Sequence, residues 1–233
     1  MLRNAGFALL FLLAAAESAG ACDLNRALGY GGPYEFEYTS SAPTWDTDIF
    51  GGHVSYDLIA GTFGLTGGGG GGKQSGGSQL QFSDSYQIVG PPVATPISFQ
   101  ASFHIGGTLN AAENSYPFIG TICDHTSARF TATSGPASVS HDYSITHPGC
   151  ETTTLDDAMT LALSKLPGEI FPLSMLLSVF GTRSGSVNGT LAFTGLPAGY
   201  SVTSCQGFAG MPVPVRQASW GSLKHSYRLG GAD

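Results

Sequence analysis

Residues 34–38 read Tyr34-Glu35-Phe36-Glu37-Tyr38, and this stretch decides the fold class of the chain. Aromatic and acidic side chains alternate strictly, which places three rings on one face of an extended strand and two carboxylates on the other. Glu35 and Glu37 therefore lie side by side, an arrangement typical of a solvated sheet face. A glycosidase needs two carboxyl groups on opposite sides of the bond that it cleaves, so we interpret this pair as structural.

Similar alternating runs recur along the chain and predict many short strands. Clusters rich in glycine and proline, such as 31–33 and 90–92, separate the runs as turns require. This spacing predicts an all-β fold, a single antiparallel β-sandwich of jelly-roll-like type. The other alternating runs are residues 53–58, 79–82, 86–89, 97–105, 138–145, 171–180 and 186–193.

Residues 155–166 fit two patterns. Their apolar side chains recur at helical spacing, with Thr154 as a candidate helix cap. The same stretch alternates as Met159, Leu161 and Leu163. Threonine-rich flanks and the Pro-Gly pair that follows favour a strand, and helix remains the alternative.

Composition and charge narrow the class of function. The chain has 233 residues with 9 Lys+Arg against 16 Asp+Glu, a formal net charge of -7, and this acidic balance argues against nucleic-acid binding. Only 11% of the residues are charged, whereas about 25% is usual. With 34 glycines, the composition also argues against a coiled coil or helix bundle.

The N-terminus has the features of a cleaved signal peptide at residues 1–21. Arg3 precedes a short apolar run at 7–13, and Ala19-Gly20-Ala21 matches a cleavage site. The run is too short to cross about 30 Å of hydrocarbon, so we expect no transmembrane span. We therefore expect a secreted or cell-surface protein.

Export changes what the four cysteines indicate. In an oxidising compartment an even number of cysteines favours disulfides, and four allow three connectivities. We prefer Cys123–Cys150 with Cys22–Cys205. Cleavage after residue 21 would leave Cys22 first, which also permits a lipid anchor there and would leave Cys205 unpaired.

Two segments outside the strand runs are expected to lack regular structure. Residues 67–77 form a glycine-rich loop that resembles a phosphate-binding loop, but Gln74 follows Lys73 where such a loop needs Ser or Thr. Residues 211–233 form a C-terminal tail in which three apolar side chains are spaced to dock on the sandwich or on a partner. The β-sandwich domain is therefore assigned to residues 22–210, and the three docking side chains are Trp220, Leu223 and Tyr227.

Sequence motifs for catalysis and metal binding are weak. Neither G-x-S-x-G nor H-E-x-x-H occurs, so no catalytic residue and no metal ligand is assigned. Asp46 and Asp48 precede a Gly-Gly pair, and two carboxylates on a loop suit calcium. A solvated turn is the alternative, and no other cofactor is indicated.

Four aromatic residues in or near turn-rich segments are candidates for ligand contact. Exposed rings of Trp and Tyr stack on the faces of sugar rings in carbohydrate-binding modules, because the C–H edge of a sugar suits the aromatic face. The candidates are Trp45, Tyr56, Tyr116 and Tyr200.

Two longer stretches resemble exported bacterial proteins of the PEP-CTERM-associated type. They are QLQFSDSYQIV at 79–89 and the run from 171 to 208 that contains GLPAGYSVTS. The resemblance implies an extracytoplasmic β-sandwich of uncharacterised role, without catalytic residues to transfer. The chain departs from that family at its end, where no PEP motif with a membrane helix and basic cluster follows.

The sequence therefore supports two hypotheses of function. The first is an exported, non-catalytic β-sandwich with a structural or adhesive role in the extracellular matrix or cell envelope, where its partners would be polysaccharide or matrix proteins. The second is a carbohydrate-binding module that uses exposed aromatic rings and is stabilised by calcium.

Overall fold

The computed structural model describes residues 24–31, 33–69, 76–116, 120–145 and 150–210, with the side chains of 114–116, 120–122 and 209–210 excepted. The predicted signal peptide, Cys22 and the C-terminal tail lie outside the described residues. Within them, the chain forms strands and no helix. The strands are β1 (Asn25–Gly31), β2 (Tyr34–Ser40), β3 (Thr44–Ile49), β4 (Gly52–Asp57), β5 (Thr62–Gly68), β6 (Gly76–Val89), β7 (Ile97–Leu109), β8 (Ala111–Tyr116), β9 (Gly120–Ser134), β10 (Ala137–Ser144), β11 (Thr153–Lys165), β12 (Ile170–Gly181), β13 (Ser184–Thr194), β14 (Ser201–Ser204) and β15 (Ala209–Gly210).

The strands form two antiparallel sheets that pack face to face. The six-stranded sheet has the order β11-β7-β13-β5-β4-β3, and the larger sheet has the order β10-β9-β12-β6-β1-β2 with β14, β15 and β8 beside this path. One apolar core lies between the sheets. The predicted all-β sandwich is confirmed.

Strand β6 organises the larger sheet because it is long enough to pair with three strands. β12 runs along one whole side of it. On its other side, β1 pairs with residues 76–81 and β14 pairs with residues 86–89. β1 and β14 therefore lie end to end along the same side of β6. Their outer neighbours, β2 and β15, lie end to end in the same way.

Alternation along β6 divides its side chains between the core and solvent. Leu80, Phe82 and Tyr86 are buried between the sheets, while Gln79 and Gln81 lie on the outer face and are half-buried. This is the period-2 pattern expected of a strand with one face in the core. The polar outer face that it creates carries the candidate site described below.

The structure decides between strand and helix for residues 155–166 and changes the bounds of the glycine-rich loop expected at residues 67–77. Residues 155–166 lie almost entirely in β11, a strand whose inner face holds Leu155, Met159 and Leu161. The glycine-rich segment is shorter than expected, because its first and last residues belong to β5 and β6. A Cβ on Gly67 would lie 2.8 Å from the hydroxyl oxygen of Ser78, so glycine is needed there for close packing.

Disulfide bonding agrees with one predicted pair. Cys123 in β9 and Cys150 before β11 form a disulfide with a Cα–Cα distance of 5.4 Å, within the usual range. Cys205 is also disulfide-bonded. Because Cys22 lies outside the described residues, the Cys22–Cys205 pair and the lipid anchor stay predictions.

A buried polar cluster joins both sheets to the β14–β15 turn. The side-chain amide of Asn25 donates to the hydroxyl of Tyr56 at 2.8 Å and to Oε1 of Gln206 at 2.9 Å. The Tyr56 hydroxyl in turn donates to the carbonyl of Ala42 at 3.0 Å. Hydrogen bonding of this kind offsets the cost of burying polar groups in the core.

Candidate functional site

The outer face of the larger sheet carries an open groove of about 500 Å³. It runs over β10, β9, β12 and β6, and a second depression of about 250 Å³ shares Gln79 and Leu176 with it. The two together form one continuous groove along the strands. Its principal lining residues are Gln79, Ser127, Arg129, Asp142, Ser178 and Phe180.

Strand register brings these distant residues together. Arg129 of β9 pairs with Ser178 of β12, which pairs with Gln79 of β6. Asp142 of β10 lies opposite Arg129 on the other side. Since directly opposed residues share one face of a sheet, four polar side chains form a row across the groove.

Arg129, Asp142 and Gln79 present their polar groups to a ligand, whereas Ser178 is buried, at 6% exposure. Nε of Arg129 lies 3.2 Å from Oδ1 of Asp142, and both side chains are more than half exposed. Within the described part of the chain, no side-chain hydrogen bond engages the amides of Gln79 and Gln81. Each amide offers one acceptor oxygen and two donor hydrogens.

Phe180 forms the apolar end of the groove, and the ring of Tyr30 packs against it. Phe180 of β12 and Tyr30 of β1 flank Gly77 of β6 on the outer face. Their ring centroids are 5.3 Å apart, and Phe180 is 37% exposed. Partial burial, followed by the nearby Glu35 carboxylate, raises the pKa of the Tyr30 hydroxyl, which keeps this ring neutral.

The outer face of the six-stranded sheet is polar throughout its centre and forms a shallower candidate. One row across it reads Asp46, Ser55, Gly64, Asn188, Gly106 and Asp156. A depression of about 400 Å³ lies over part of this row. No aromatic side chain belongs to the row itself. Three rings line the depression, Trp45, Tyr56 and Phe63, and the last two are buried, at 4% exposure each.

The calcium candidates Asp46 and Asp48 lie on strand β3 and not on a loop. Both carboxylates face His53, whose ring nitrogens lie 3.2 Å and 2.9 Å from them. Among the described residues, no group of three or more His, Cys, Asp or Glu is arranged to hold a metal ion.

The four predicted aromatics do not form one exposed surface. Tyr56 is only 4% exposed, which corrects the expectation of an exposed ring, and Trp45 packs edge-on against it at 5.8 Å. Tyr200 is half-buried and donates its hydroxyl hydrogen to the carbonyl of Pro91. Tyr116 ends β8, and its side chain lies outside the described residues.

A histidine–carboxylate contact lies at the open edge of the sandwich. Nδ1 of His141 and the hydroxyl of Tyr143 both lie 3.0 Å from Oδ2 of Asp157. Burial, and then the hydrogen bond to Asp157, raises the pKa of Tyr143. Among the described residues, no serine or cysteine hydrogen-bonds to His141, so this cluster joins β10 to β11 without the geometry of a nucleophilic triad.

The structure also locates a ring that the sequence-based search missed. Phe180 lies in the alternating run 171–180, which predicted a strand and nothing more. Its position against the sheet depends on the neighbouring Gly77, which is 103 positions away in the sequence and adjacent in the sheet. The sequence signal that could have identified it is the position of an aromatic residue on the outward face at the end of this alternating run.

Comparison with known proteins adds no relative to this picture. No protein-family model, curated protein or solved structure matches the chain. No helix of the described segments could cross a membrane.

Proposed function

We propose that this chain is an exported, non-catalytic binding module that holds a polysaccharide in the groove of the larger sheet. The observation that carries the proposal is the exposed ring of Phe180 beside the open polar side chains of Gln79 and Arg129. A sugar offers C–H faces for an aromatic ring and hydroxyls for amide, guanidinium and carboxylate groups. Ligand sites typically combine an apolar surface with a small number of polar groups.

The shape of the groove favours a chain of sugars over a single sugar. Its lining on β12 extends from Ser174 to Phe180, six residues apart and so about 20 Å at ~3.3 Å per residue. Its lining includes Gln, Ser, Thr, Arg and Asp, and one ion pair balances the charge of the central row. These features suit a neutral polysaccharide.

This activity would give the protein a structural or adhesive role in the extracellular matrix or cell envelope. The predicted signal peptide supports export, and the disulfide between Cys123 and Cys150 suits an oxidising compartment. Among the described residues, the lining of the groove holds one carboxylate, Asp142, whereas a glycosidase needs two, which supports binding over hydrolysis.

Affinity electrophoresis of residues 22–233 against a panel of neutral and acidic polysaccharides tests this proposal. We expect retardation by a neutral glycan and an interaction about two- to tenfold weaker for Phe180→Ala, since an aromatic contact contributes about 0.5–1.5 kcal/mol. Tyr34→Ala, which removes an exposed ring outside the groove, is the control. Absence of retardation by every glycan, or equal loss in both variants, would refute the proposal.

A further inference from the structure

Strand β2 is an edge strand whose inner face is incompletely covered. Within the described residues it pairs with β1 alone. Tyr34 and Phe36 point towards the core side but are 65% and 41% exposed. Phe50, from the turn between β3 and β4, contacts Phe36 with ring centroids 4.7 Å apart and is itself exposed. An open edge with apolar side chains is a template for another strand.

The charges on β2 argue against a second copy of the same strand. Its outer face carries Glu35 and Glu37, of which Glu37 pairs with Arg26 at 2.7 Å. An antiparallel pair of β2 strands centred on Phe36 would set Glu35 of each copy opposite Glu37 of the other. Like charges in directly opposed positions are destabilising, so the favoured partner has basic residues on one face and apolar residues on the other.

The C-terminal tail of this chain contains such a segment. Residues 223–228 read Leu-Lys-His-Ser-Tyr-Arg. In an extended strand, Lys224 and Arg228 would share one face while Leu223, His225 and Tyr227 would share the other. The segment thus complements β2 on both faces.

The tail is also long enough to reach this edge. Through the intervening strand β14, Gly210, the last residue of β15, is in register with Ile88 of β6. Through β1, Tyr38 of β2 is in register with Leu80 of β6. These two positions are eight residues apart on β6, about 26 Å at ~3.3 Å per residue. A strand added beyond β2 also lies one strand further from β6 than β15 does, which adds about 5 Å. The twelve residues 211–222 span up to about 40 Å.

We propose that residues 223–228 add to the free edge of β2 as an antiparallel strand of the same molecule. A register that matches charge sets Lys224 opposite Glu37 and Tyr227 opposite Tyr34. Arg228 then lies diagonal to Glu35, within reach of a long side chain. The added strand covers the exposed rings and closes the edge against pairing with other molecules.

Hydrogen exchange of the whole mature chain, followed by mass spectrometry, tests this pairing without any glycan. In wild type, the β2 amides that do not bond to β1 should be protected. In Lys224→Glu/Arg228→Glu they should exchange at least about tenfold faster. Arg216→Glu, a charge reversal in the linking part of the tail, is the matched control and should leave the exchange unchanged.

Light scattering on the same samples identifies the occupant of the edge. A monomeric mass together with protection that depends on Lys224 and Arg228 supports the proposal. Equal exchange in wild type and the double variant would overturn it. A doubled mass with concentration-dependent protection would also overturn it, in favour of a second copy.

Discussion

The rings of Tyr30 and Phe180 lie 5.3 Å apart across Gly77, on the outer face of the larger sheet. A Cβ on Gly77 would overlap the Phe180 ring. The absence of a side chain on β6 therefore lets this ring lie against the strand and form the end of the groove.

Replacement of Gly77 by Ala should displace Phe180. We expect the free energy of unfolding to fall by about 1–3 kcal/mol, because the site has no room for the extra methyl group. We also expect polysaccharide affinity to fall as it does for Phe180→Ala. Urea denaturation and affinity electrophoresis measure the two effects. Gly64→Ala, on the other sheet, is the control, since its Cβ would meet the rotatable hydroxyl of Ser55 at 2.9 Å and would lie at an ordinary contact distance of 3.9 Å from the Val187 carbonyl. Equal effects of the two variants would contradict this role of Gly77.

Removal of the Tyr56 hydroxyl should destabilise the fold. This hydroxyl accepts from buried Asn25 and donates to the carbonyl of Ala42, so Tyr56→Phe leaves buried polar groups without a partner. The expected cost is about 1–3 kcal/mol of unfolding free energy, measured by chemical denaturation. Tyr200→Phe, which loses a more exposed hydrogen bond to Pro91, should cost less than about 1 kcal/mol. The reverse order would show that the buried cluster is not stabilising.

Unlike Tyr56→Phe, replacement of Tyr86 by Phe should not destabilise the fold at neutral pH. Its buried hydroxyl has no hydrogen-bond partner among the described residues, so Tyr86→Phe should leave stability unchanged or raise it by about 1 kcal/mol. A clear loss of stability at pH 7 would indicate that this hydroxyl is hydrogen-bonded.

Tyr86 should also make the fold sensitive to alkaline pH. Burial, and then the Asp84 carboxylate, raises the pKa of Tyr86 in the folded chain. The unfolded chain therefore releases this proton first, so the stabilisation is complete below about pH 10 and is lost as the pH rises further. Urea denaturation on both sides of about pH 10 should show a shallower alkaline decline for Tyr86→Phe. Tyr34→Phe, at an exposed position, should keep the wild-type slope.

Loss of the Cys123–Cys150 disulfide should weaken the fold without changing the groove. The bond closes a sequence separation of 27 residues, for which chain entropy predicts about 3–4 kcal/mol. The Cys123→Ser/Cys150→Ser variant should therefore unfold at lower denaturant concentration and still bind polysaccharide at temperatures where it is folded. Unchanged stability would contradict the entropic estimate.

Alternating hydrophobicity predicted most long strands but missed β1, β5 and β9, among others. Strand β1 shows one reason. Its inward positions are Asn25, Ala27 and Gly29, which carry no apolar alternation. Its place depends on pairing with β2 and β6 and on the close approach of Phe50 to Gly29. Such tertiary contacts cannot be seen in a local pattern.

The candidate groove was less accessible to sequence analysis than the fold. Gln79, Arg129 and Ser178 come from three strands that are far apart in the chain, and only the order β9-β12-β6 brings them together. The ring search chose Trp and Tyr in turn-rich segments and thereby selected Tyr56, which the sandwich buries. Exposure of a ring depends on which strands meet, and not on its local sequence.

The most direct test of the account compares the two outer faces in one affinity-electrophoresis experiment. Gln79→Ala/Arg129→Ala removes polar groups from the groove of the larger sheet, and Asp46→Ala/Asn188→Ala removes polar groups from the six-stranded sheet. The account predicts that only the first pair abolishes retardation by the bound polysaccharide. Retardation that survives in the first pair and is lost in the second would contradict it.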